Sequence, residues 1–287
     1  MMDTIPIRKL KTPLKEPEFS GQFDIRDIGR LLAGKDLLQE LHRHDFYFML
    51  VLEEGTGTHE IDFTPYEVHD HTVFAMRPGQ VHRLELKRGG KGFLLQFSTD
   101  FILQAGETGQ LWRKASYNNH CTIDAVSFEK LHTPLTYVFQ EYASRKEHYP
   151  EAIRANLAIF FIELLRQRKE SKSAPGTLPV YPQERLEEFF RLLEEHVSEH
   201  KQVADYAAML HLSPYQLNAI TKATLGKTCS ELIGEHLILE AKRHLLATHN
   251  QVKEIAYHLG YEDVSYFIRY FRKRTGPSHQ AFRQKFK

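Results

Sequence analysis

The sequence predicts a multidomain α+β protein with an N-terminal antiparallel β-barrel, a helical hairpin and an all-α C-terminal domain. Three observations predict this fold class. Short apolar runs divided by glycine and proline fill the first part of the chain, which is typical of small β-domains. Apolar residues at spacings of three and four follow from about residue 126 and indicate helices. A weak internal repeat of about 50 residues occupies the C-terminal part.

Composition limits the class of protein before any motif is considered. A chain of 287 residues is long enough for about two domains. No apolar run approaches the roughly 18 residues that a membrane span needs, and the N-terminal segment lacks the apolar core of a secretory signal. The two cysteines, Cys121 and Cys229, are far apart, so a disulfide framework is not expected. We therefore expect a cytoplasmic protein without a membrane partner.

Charge is distributed unevenly along the chain. The formal net charge is +1, but residues 201–287 contain 13 Lys and Arg against 7 Asp and Glu. The first 200 residues contain 25 basic and 30 acidic residues. This asymmetry favours a partner with a phosphate backbone at the C-terminal end only.

Residues 1–125 are predicted to form the β-domain. Apolar runs at 46–52, 72–76 and 92–97 are separated by turn residues. The turn residues are Gly55, Gly57, Pro78, Gly79, Gly89 and Gly90. Short strands at this spacing predict a small antiparallel barrel or sandwich, of which the barrel is the expected form.

Residues 126–170 are predicted to form a helical hairpin. Thr133 and Pro134 are expected to open its first helix, because proline suits the first helical position. The second helix follows a break at Tyr149 and Pro150, and the apolar face of the hairpin is expected to pack on the barrel or on a second copy of the chain. Residues 171–182 are rich in Ser, Pro and Gly and are predicted to be a linker.

The C-terminal domain, residues 183–287, contains the repeat. The segment that starts at Val203 aligns with the segment that starts at Val252, with an offset of 49 that becomes 50 after one inserted residue. Each copy predicts a short apolar helix, a tight turn and a second helix, which are the parts of a helix-turn-helix. The two units lie at about 203–224 and 252–274, and Gly260 is the predicted helix stop in the second.

Capping residues support these helix boundaries. Ser213 and Gln216 form an S-x-x-Q capping box around Pro214 at the first helical position. Asp263 is the predicted cap of the corresponding helix in the second unit. The segment Thr228–Glu231 is a second capping box, ahead of the helix that connects the two units.

The second helix of each unit is predicted to present polar side chains to DNA. Asparagine and glutamine pair with adenine edges, arginine pairs with guanine, and hydroxyl groups reach phosphates or bases. The two helices are expected to enter adjacent major grooves of double-stranded DNA, about 34 Å apart. The alternative is a helical bundle with solvated polar faces. The candidate DNA-binding residues are Ser213, Tyr215, Gln216, Asn218, Lys222, Ser265, Tyr266, Arg269, Arg272 and Lys273.

The stretch from about 185 to 285 resembles the DNA-binding domain of the AraC/XylS family of bacterial regulators. The motifs that carry the resemblance are VADYA, LSPYQL, LGKT, LEAKRHLL and IAYHLGYEDVSYFIRYFRK. One departure is His279, where the family usually carries proline. The resemblance implies a transcriptional activator that responds to a small molecule, forms a homodimer through the hairpin and contacts RNA polymerase. It also implies a cupin-like sensor domain in residues 1–125.

Three histidines match the sequence motifs of cupin domains. His42 and His44 are two apart on a predicted strand and share a face, and His82 follows a Pro-Gly turn. Metal-dependent cupins also carry a carboxylate four or five residues after the second histidine, where Phe48 and Met49 stand here. We therefore expect these histidines to be structural or to hydrogen-bond an effector in the barrel mouth, with no metal or cofactor and no enzymatic activity. A metal-dependent cupin enzyme fused to a DNA-binding domain, and a regulator without effector, are the alternatives.

Overall fold

The computed structural model describes residues 7–8, 22–104, 107–116, 118–172, 180–248 and 250–285. The chain divides into two compact units, an N-terminal unit within Pro6–Pro175 and a C-terminal unit within Gly176–Lys287. Within the described residues, no helix is long and apolar enough to cross a membrane.

The N-terminal unit combines strands with helices. Its strands are β1 (Ile7–Arg8), β2 (Phe23–Asp27), β3 (Leu37–His44), β4 (Tyr47–Glu54), β5 (Gly57–Ile61), β6 (Thr64–Val68), β7 (Thr72–Met76), β8 (Val81–Leu86), β9 (Lys91–Phe97) and β10 (His120–Thr122). Its helices are α1 (Ile28–Leu32), α2 (Thr99–Gln104), α3 (Glu107–Ser116), α4 (Ala125–Ser144) and α5 (Tyr149–Lys172).

The strands form two five-stranded sheets. Their orders are β1-β3-β8-β5-β6 and β10-β7-β4-β9-β2, and every pair is antiparallel except β1 with β3. The predicted α+β class and cupin-like domain are confirmed, but no strand pairing among the described residues joins the two sheets into a closed barrel. Short strands at the sheet edges, such as the two-residue β1 and the three-residue β10, offer few groups for closure.

Strand β4 explains why the apolar run at 46–52 does not alternate with polar residues. Phe48 and Leu50 belong to the core between the two sheets, together with Leu84 of β8. Met49 and Val51 point to the other face and belong to a second core, shared with α4 and α5. A strand that is covered on both faces reads as a continuous apolar run.

The helical hairpin packs on the sheet that contains β4, with Leu131 and Leu157 in the shared core. The prediction that Pro134 opens the first helix is wrong, because Pro134 lies inside α4. Helix α4 begins at Ala125 instead, after Asp124 accepts a hydrogen bond from the Ser127 backbone N–H. An aspartate cap satisfies one of the free N–H groups at the helix start, whereas an internal proline removes one backbone donor and is outweighed by the packing around it.

The predicted linker falls largely outside the described residues. Helix α5 continues to Lys172, and the first helix of the C-terminal unit begins at Val180, three residues before the predicted domain start. The helices of this unit are α6 (Val180–His196), α7 (Val203–Met209), α8 (Pro214–Leu225), α9 (Cys229–Ala247), α10 (Val252–His258), α11 (Val264–Thr275) and α12 (His279–Lys285).

Helices α7 and α8 form the first helix-turn-helix, and α10 and α11 form the second. Their predicted caps are confirmed: the side chains of Ser213, Thr228 and Asp263 each accept hydrogen bonds from the first turn of the next helix. Gly260 follows α10 with φ of +70°, and a Cβ there would lie 1.9 Å from the Ser198 carbonyl oxygen. Only glycine fits this turn, because both the left-handed backbone and the close approach exclude a side chain.

Helix α9 connects the two helix-turn-helix units through its packing. Ile233 of α9 shares a core with Phe189 of α6, Tyr206 of α7 and Leu217 of α8. Helix α9 also contacts α10 and α11 of the second helix-turn-helix, and α12. Helices α8 and α11 therefore both pack on α9, the helix that connects the two helix-turn-helix motifs.

Candidate nucleic-acid interface and histidine cluster

Helix α11 carries the more basic of the two predicted reading faces. Ser265, Tyr266, Arg269, Arg272 and Lys273 are all exposed, while the opposite face is anchored by buried aromatic side chains. Three consecutive basic residues, 272–274, occupy the last turn. Positive charge and exposed donors on one helix face suit the major groove and its flanking phosphates.

A groove of about 530 Å³ lies along this face. It is lined by Tyr266, Arg269, Tyr270, Lys273 and Arg274. Tyr270 and Arg274 were not among the predicted residues. Tyr270 lies four positions after the predicted Tyr266, and Arg274 four positions after Tyr270, so the three share one helix face. The place of Tyr270 and Arg274 depends on Gly234 of α9, because a Cβ there would lie 2.4 Å from the Tyr270 hydroxyl.

Arg269 is available for an external partner. Its guanidinium Nη2 lies 4.0 Å from Asp263 Oδ2, and the two side chains are 70% and 64% exposed. An ion pair that is this long and this exposed contributes little. Arg269 can therefore leave Asp263 for a base edge at small cost.

On α8, two predicted side chains remain presented to solvent. Tyr215 is 83% exposed, and Lys222 is exposed in the last turn. Ser213 is exposed as well, but its hydroxyl oxygen accepts the Gln216 backbone N–H as the cap.

Gln216, which is exposed, and Asn218, which is half-buried, are both engaged in hydrogen bonds within the C-terminal unit. Gln216 Oε1 accepts from the Ser213 backbone N–H at 2.9 Å and from the Ser213 hydroxyl at 3.0 Å. Asn218 Nδ2 donates to the Pro214 carbonyl at 3.1 Å, and Asn218 Oδ1 accepts from the Cys229 N–H at 2.9 Å. A bidentate contact with adenine needs both the oxygen and the nitrogen of the amide. In this structure both side chains hold helix ends in place.

The N-terminal unit brings the three predicted histidines together and adds a fourth. His42, His44 and His82 offer ring nitrogens that all lie within 4.8 Å of one another. His82 Nε2 lies 3.0 Å from His42 Nε2 and 2.8 Å from His44 Nε2, and His82 Nδ1 lies 2.9 Å from His59 Nε2. We call these four residues the histidine cluster.

His59 was missed by sequence reasoning. It lies on β5, two residues before buried Ile61, and β5 pairs with β8, which carries His82. Alternation on a strand places His59 and Ile61 on the same face, but the sequence does not show which strand lies next to β5. The pairing of β5 with β8 brings His59 to His82.

The histidine cluster is enclosed by aromatic rings. His44 stacks on Phe48 with ring centroids 5.4 Å apart and an interplanar angle of 4°, and Phe46 packs on the same ring. Phe74 packs against His59. Within this shell His42, His44 and His82 are 0%, 4% and 0% exposed.

Burial keeps these rings neutral. Loss of solvation lowers the pKa of His42 to about 4 and those of His44 and His59 to about 3, and it holds the pKa of His82 well below its ordinary value. The charges of the neighbouring rings and of Arg8 are smaller causes in the same direction. At neutral pH each ring therefore has one N–H and one lone pair.

The two units match two described protein domains. Residues 36–144 match an AraC-like ligand binding domain, and residues 206–285 match a helix-turn-helix domain. The histidine cluster lies in the first match, and α8 and α11 lie in the second.

Similar proteins align with this chain over most of their length. The HTH-type transcriptional activator RhaS of Enterobacter sp. (strain 638) is 24% identical over 253 residues, which cover 85% of this chain and 87% of that protein. The HTH-type transcriptional regulator YfiF of Bacillus subtilis (strain 168) is 23% identical over 258 residues, covering 86% and 79%. A crystal structure of ToxT from Vibrio cholerae with bound unsaturated fatty acid is 14% identical over 93% of this chain and 96% of that chain, with a TM-score of 0.42. The chain belongs to the AraC-type family of transcriptional regulators, with an AraC-like ligand binding domain followed by a helix-turn-helix domain.

Proposed function

We propose that this protein is a sequence-specific transcriptional activator that reads two adjacent major-groove segments of DNA and responds to a ligand in its N-terminal unit. The observation that carries the proposal is the pair of exposed helices, α8 and α11, joined through the packing of α9. The relatives named as transcriptional activators support activation as the effect on transcription.

Each side chain of α11 has a role that follows from its chemistry. Arg269 reads a guanine edge, because its guanidinium is exposed and only weakly paired. Tyr266 and Ser265 reach bases or phosphates near the start of the helix. Arg272 and Lys273 neutralise phosphates beside the groove. On α8, Tyr215 and Lys222 make the corresponding contacts.

The ligand acts by changing how the DNA-binding units are presented. We propose a cytoplasmic homodimer in which the hairpin of α4 and α5 forms the contact between copies, and in which the DNA-bound protein recruits RNA polymerase. Ligand and DNA binding are then linked by a coupling free energy, so each changes the affinity of the other by the same factor. We propose no catalytic activity for the chain.

The proposal is tested by selecting genomic DNA fragments with the purified full chain and sequencing them. The expected result is a motif with two elements about ten base pairs apart, one for each helix-turn-helix. A variant with Tyr215→Ala and Lys222→Ala should lose the element read by α8 and keep the other. Enrichment of a single undivided element by both proteins would contradict the proposal that each helix-turn-helix reads its own DNA element.

The effector part has a separate test. Ligands of the pathway encoded beside the selected sites are screened for an increase in the melting temperature of the full chain, since a ligand that binds only the folded state stabilises it. A stabilising ligand should also change the affinity for the selected DNA. Stabilisation without any change in DNA affinity would contradict the coupling.

A further inference from the structure

The histidine cluster has a property that neither DNA reading nor packing explains. Three Nε2 atoms from His42, His44 and His82 converge inside an aromatic shell. We propose that these three atoms bind one divalent transition-metal ion and that His59 orients His82 for this role. The inference deepens the proposed ligand response, on which it rests for its regulatory meaning, by naming a metal ion as the ligand class of this site.

Proton counting shows that the cluster is not a complete hydrogen-bond network. The His42 Nδ1–H donates to the Glu40 carbonyl at 2.7 Å, because a carbonyl oxygen can only accept, so neutral His42 has a lone pair on Nε2. The contact between His42 and His82 then needs a proton on His82 Nε2. That proton leaves His82 Nε2 with no lone pair to accept a bond from His44. No assignment of neutral rings gives both short contacts a proton of their own.

A cation at the point of convergence removes this conflict. All three Nε2 atoms then contribute lone pairs, and no proton is needed between them. Metal–nitrogen bonds to histidine are about 2.0–2.1 Å long, so neighbouring ligand nitrogens at right angles are about 3 Å apart. The observed separations of 2.8 and 3.0 Å at His82 Nε2 agree with that spacing.

Outer contacts direct two of the ligand atoms inward. A metal-bound histidine normally donates its other ring N–H to a carbonyl or another acceptor, which sets the tautomer. His42 donates from Nδ1 to Glu40 O, and His82 Nδ1 lies 2.9 Å from His59 Nε2. With the His82 proton on Nδ1, His59 accepts it and the His82 Nε2 lone pair faces the other two rings.

A purely structural cluster would be expected to satisfy its buried nitrogens. His44 Nδ1 and His59 Nδ1 are buried without a hydrogen-bond partner, and buried unsatisfied groups are costly. Four neutral rings with two such atoms stabilise the fold poorly compared with apolar residues of the same size. Stability alone therefore does not account for four imidazoles at this site.

The donor set also indicates the kind of metal. Imidazole nitrogens suit Zn²⁺, Cu²⁺, Fe²⁺ and Ni²⁺, whereas Mg²⁺ and Ca²⁺ prefer oxygen ligands. The position where cupin enzymes supply a carboxylate is filled by Phe48, which stacks on His44. Three protein ligands leave coordination positions for water or a small molecule.

The experiment uses the full chain, stripped with a chelator and titrated with Co²⁺ in the absence of DNA. The expected result is uptake of one Co²⁺ per chain with visible ligand-field bands, which Zn²⁺ then removes by displacement. X-ray absorption of the Zn²⁺-loaded protein should show histidine nitrogens at about 2.0–2.1 Å. Absence of saturable Co²⁺ uptake by the wild-type chain overturns the proposal.

Variants assign the ion to this site. His44→Gln and His82→Gln should abolish saturable uptake, and His59→Gln should weaken it by about 10–100-fold, as is typical for an outer partner. His69→Gln, at an exposed position of the same unit, is the matched control and should bind as the wild type does. Circular dichroism establishes that each variant is folded. Unchanged uptake in folded His44→Gln also overturns the proposal.

The metal test is independent of DNA recognition. A chain that takes up Co²⁺ but enriches no DNA motif would support the metal site and contradict the proposed DNA reading. A chain that enriches the two-element motif without metal uptake would support the proposed DNA reading and contradict the metal site. Comparing the DNA affinity of the stripped and the Zn²⁺-loaded protein then measures the coupling between the two units.

Discussion

Arg269 is the exposed arginine of α11 that is most suited to reading a base. Its contact with Asp263 is 4.0 Å long and solvent-exposed, so removing the side chain leaves the fold intact. Arg269→Ala should cost about 1–3 kcal/mol of binding to the selected DNA and relax specificity at one base pair. Fluorescence anisotropy on the motif and its single-base variants measures both effects.

The control for this variant is Arg88→Ala, an exposed arginine in the N-terminal unit. It removes the same charge and should leave DNA affinity unchanged. An equal loss on the motif and on random DNA in Arg269→Ala would contradict the edge-reading role and assign Arg269 to phosphate.

Lys273 is expected to contact phosphate. Lys273→Ala should weaken binding to all sequences alike and lower the slope of log affinity against log salt by about 1, since one fewer counterion is released. Titrations at several salt concentrations measure that slope. Lys35→Ala, exposed in the N-terminal unit, should keep the wild-type slope. A change in base preference in Lys273→Ala would argue against a phosphate contact.

Asn218 is expected to stabilise the fold instead of reading bases. Its amide joins the start of α8 to the first N–H of α9, so Asn218→Ala should lower the free energy of unfolding by about 1–3 kcal/mol. Chemical denaturation followed by circular dichroism measures this loss. The selected DNA motif should stay the same, and Lys222→Ala should leave stability within about 0.5 kcal/mol of the wild type. A changed DNA motif with unchanged stability in Asn218→Ala would assign Asn218 to the DNA interface.

At the scale of elements, the turn between α10 and α11 determines where the second reading helix points. Gly260 has φ of +70° and lies against the Ser198 carbonyl. Gly260→Ala should destabilise the C-terminal unit by more than about 1 kcal/mol and weaken DNA binding, because the strained turn and the clash displace α11. Thermal unfolding and anisotropy measure the two effects.

Gly226 provides the matched control for this substitution. It caps α8 with φ of +68°, but nothing lies within 4 Å of a Cβ built there. Gly226→Ala should therefore incur the backbone cost alone, which is about 1 kcal/mol. Equal destabilisation by the two variants would show that the contact with Ser198 contributes nothing.

At the scale of the whole molecule, the two units have separate cores. The only tryptophan, Trp112, is buried in the core of the N-terminal unit, so its fluorescence reports that unit alone. Phe161→Ala, in the same core, should move the unfolding transition seen by fluorescence to a lower denaturant concentration, since replacing a buried phenylalanine costs about 3–5 kcal/mol of stability. Denaturant titrations followed by fluorescence and circular dichroism measure the effect.

Phe189 is the corresponding residue in the core of the C-terminal unit. Phe189→Ala should move the transition seen by circular dichroism and leave the Trp112 fluorescence transition in place. Parallel shifts of both probes in either variant would mean that the chain unfolds as one cooperative body.

Features formed by residues a few positions apart in the chain could be predicted from the sequence. The caps at Ser213, Thr228 and Asp263 were predicted because each serves N–H groups two or three residues ahead. The repeat revealed the two helix-turn-helix units for the same reason, since each is a short run with its own caps and turn. The convergence of His42, His44 and His82 was expected from strand alternation and the resemblance.

Tertiary structure determined which residues far apart in the sequence come into contact. His59 enters the histidine cluster because β5 pairs with β8, Asn218 turns inward because α9 begins beside it, and Pro134 stays within α4 because the helix packs on a sheet. Two sheets formed where a barrel was expected. Local hydrogen bonds depend on residues a few positions apart and are visible in sequence, whereas strand neighbours and buried contacts depend on the free energy of the whole packed unit.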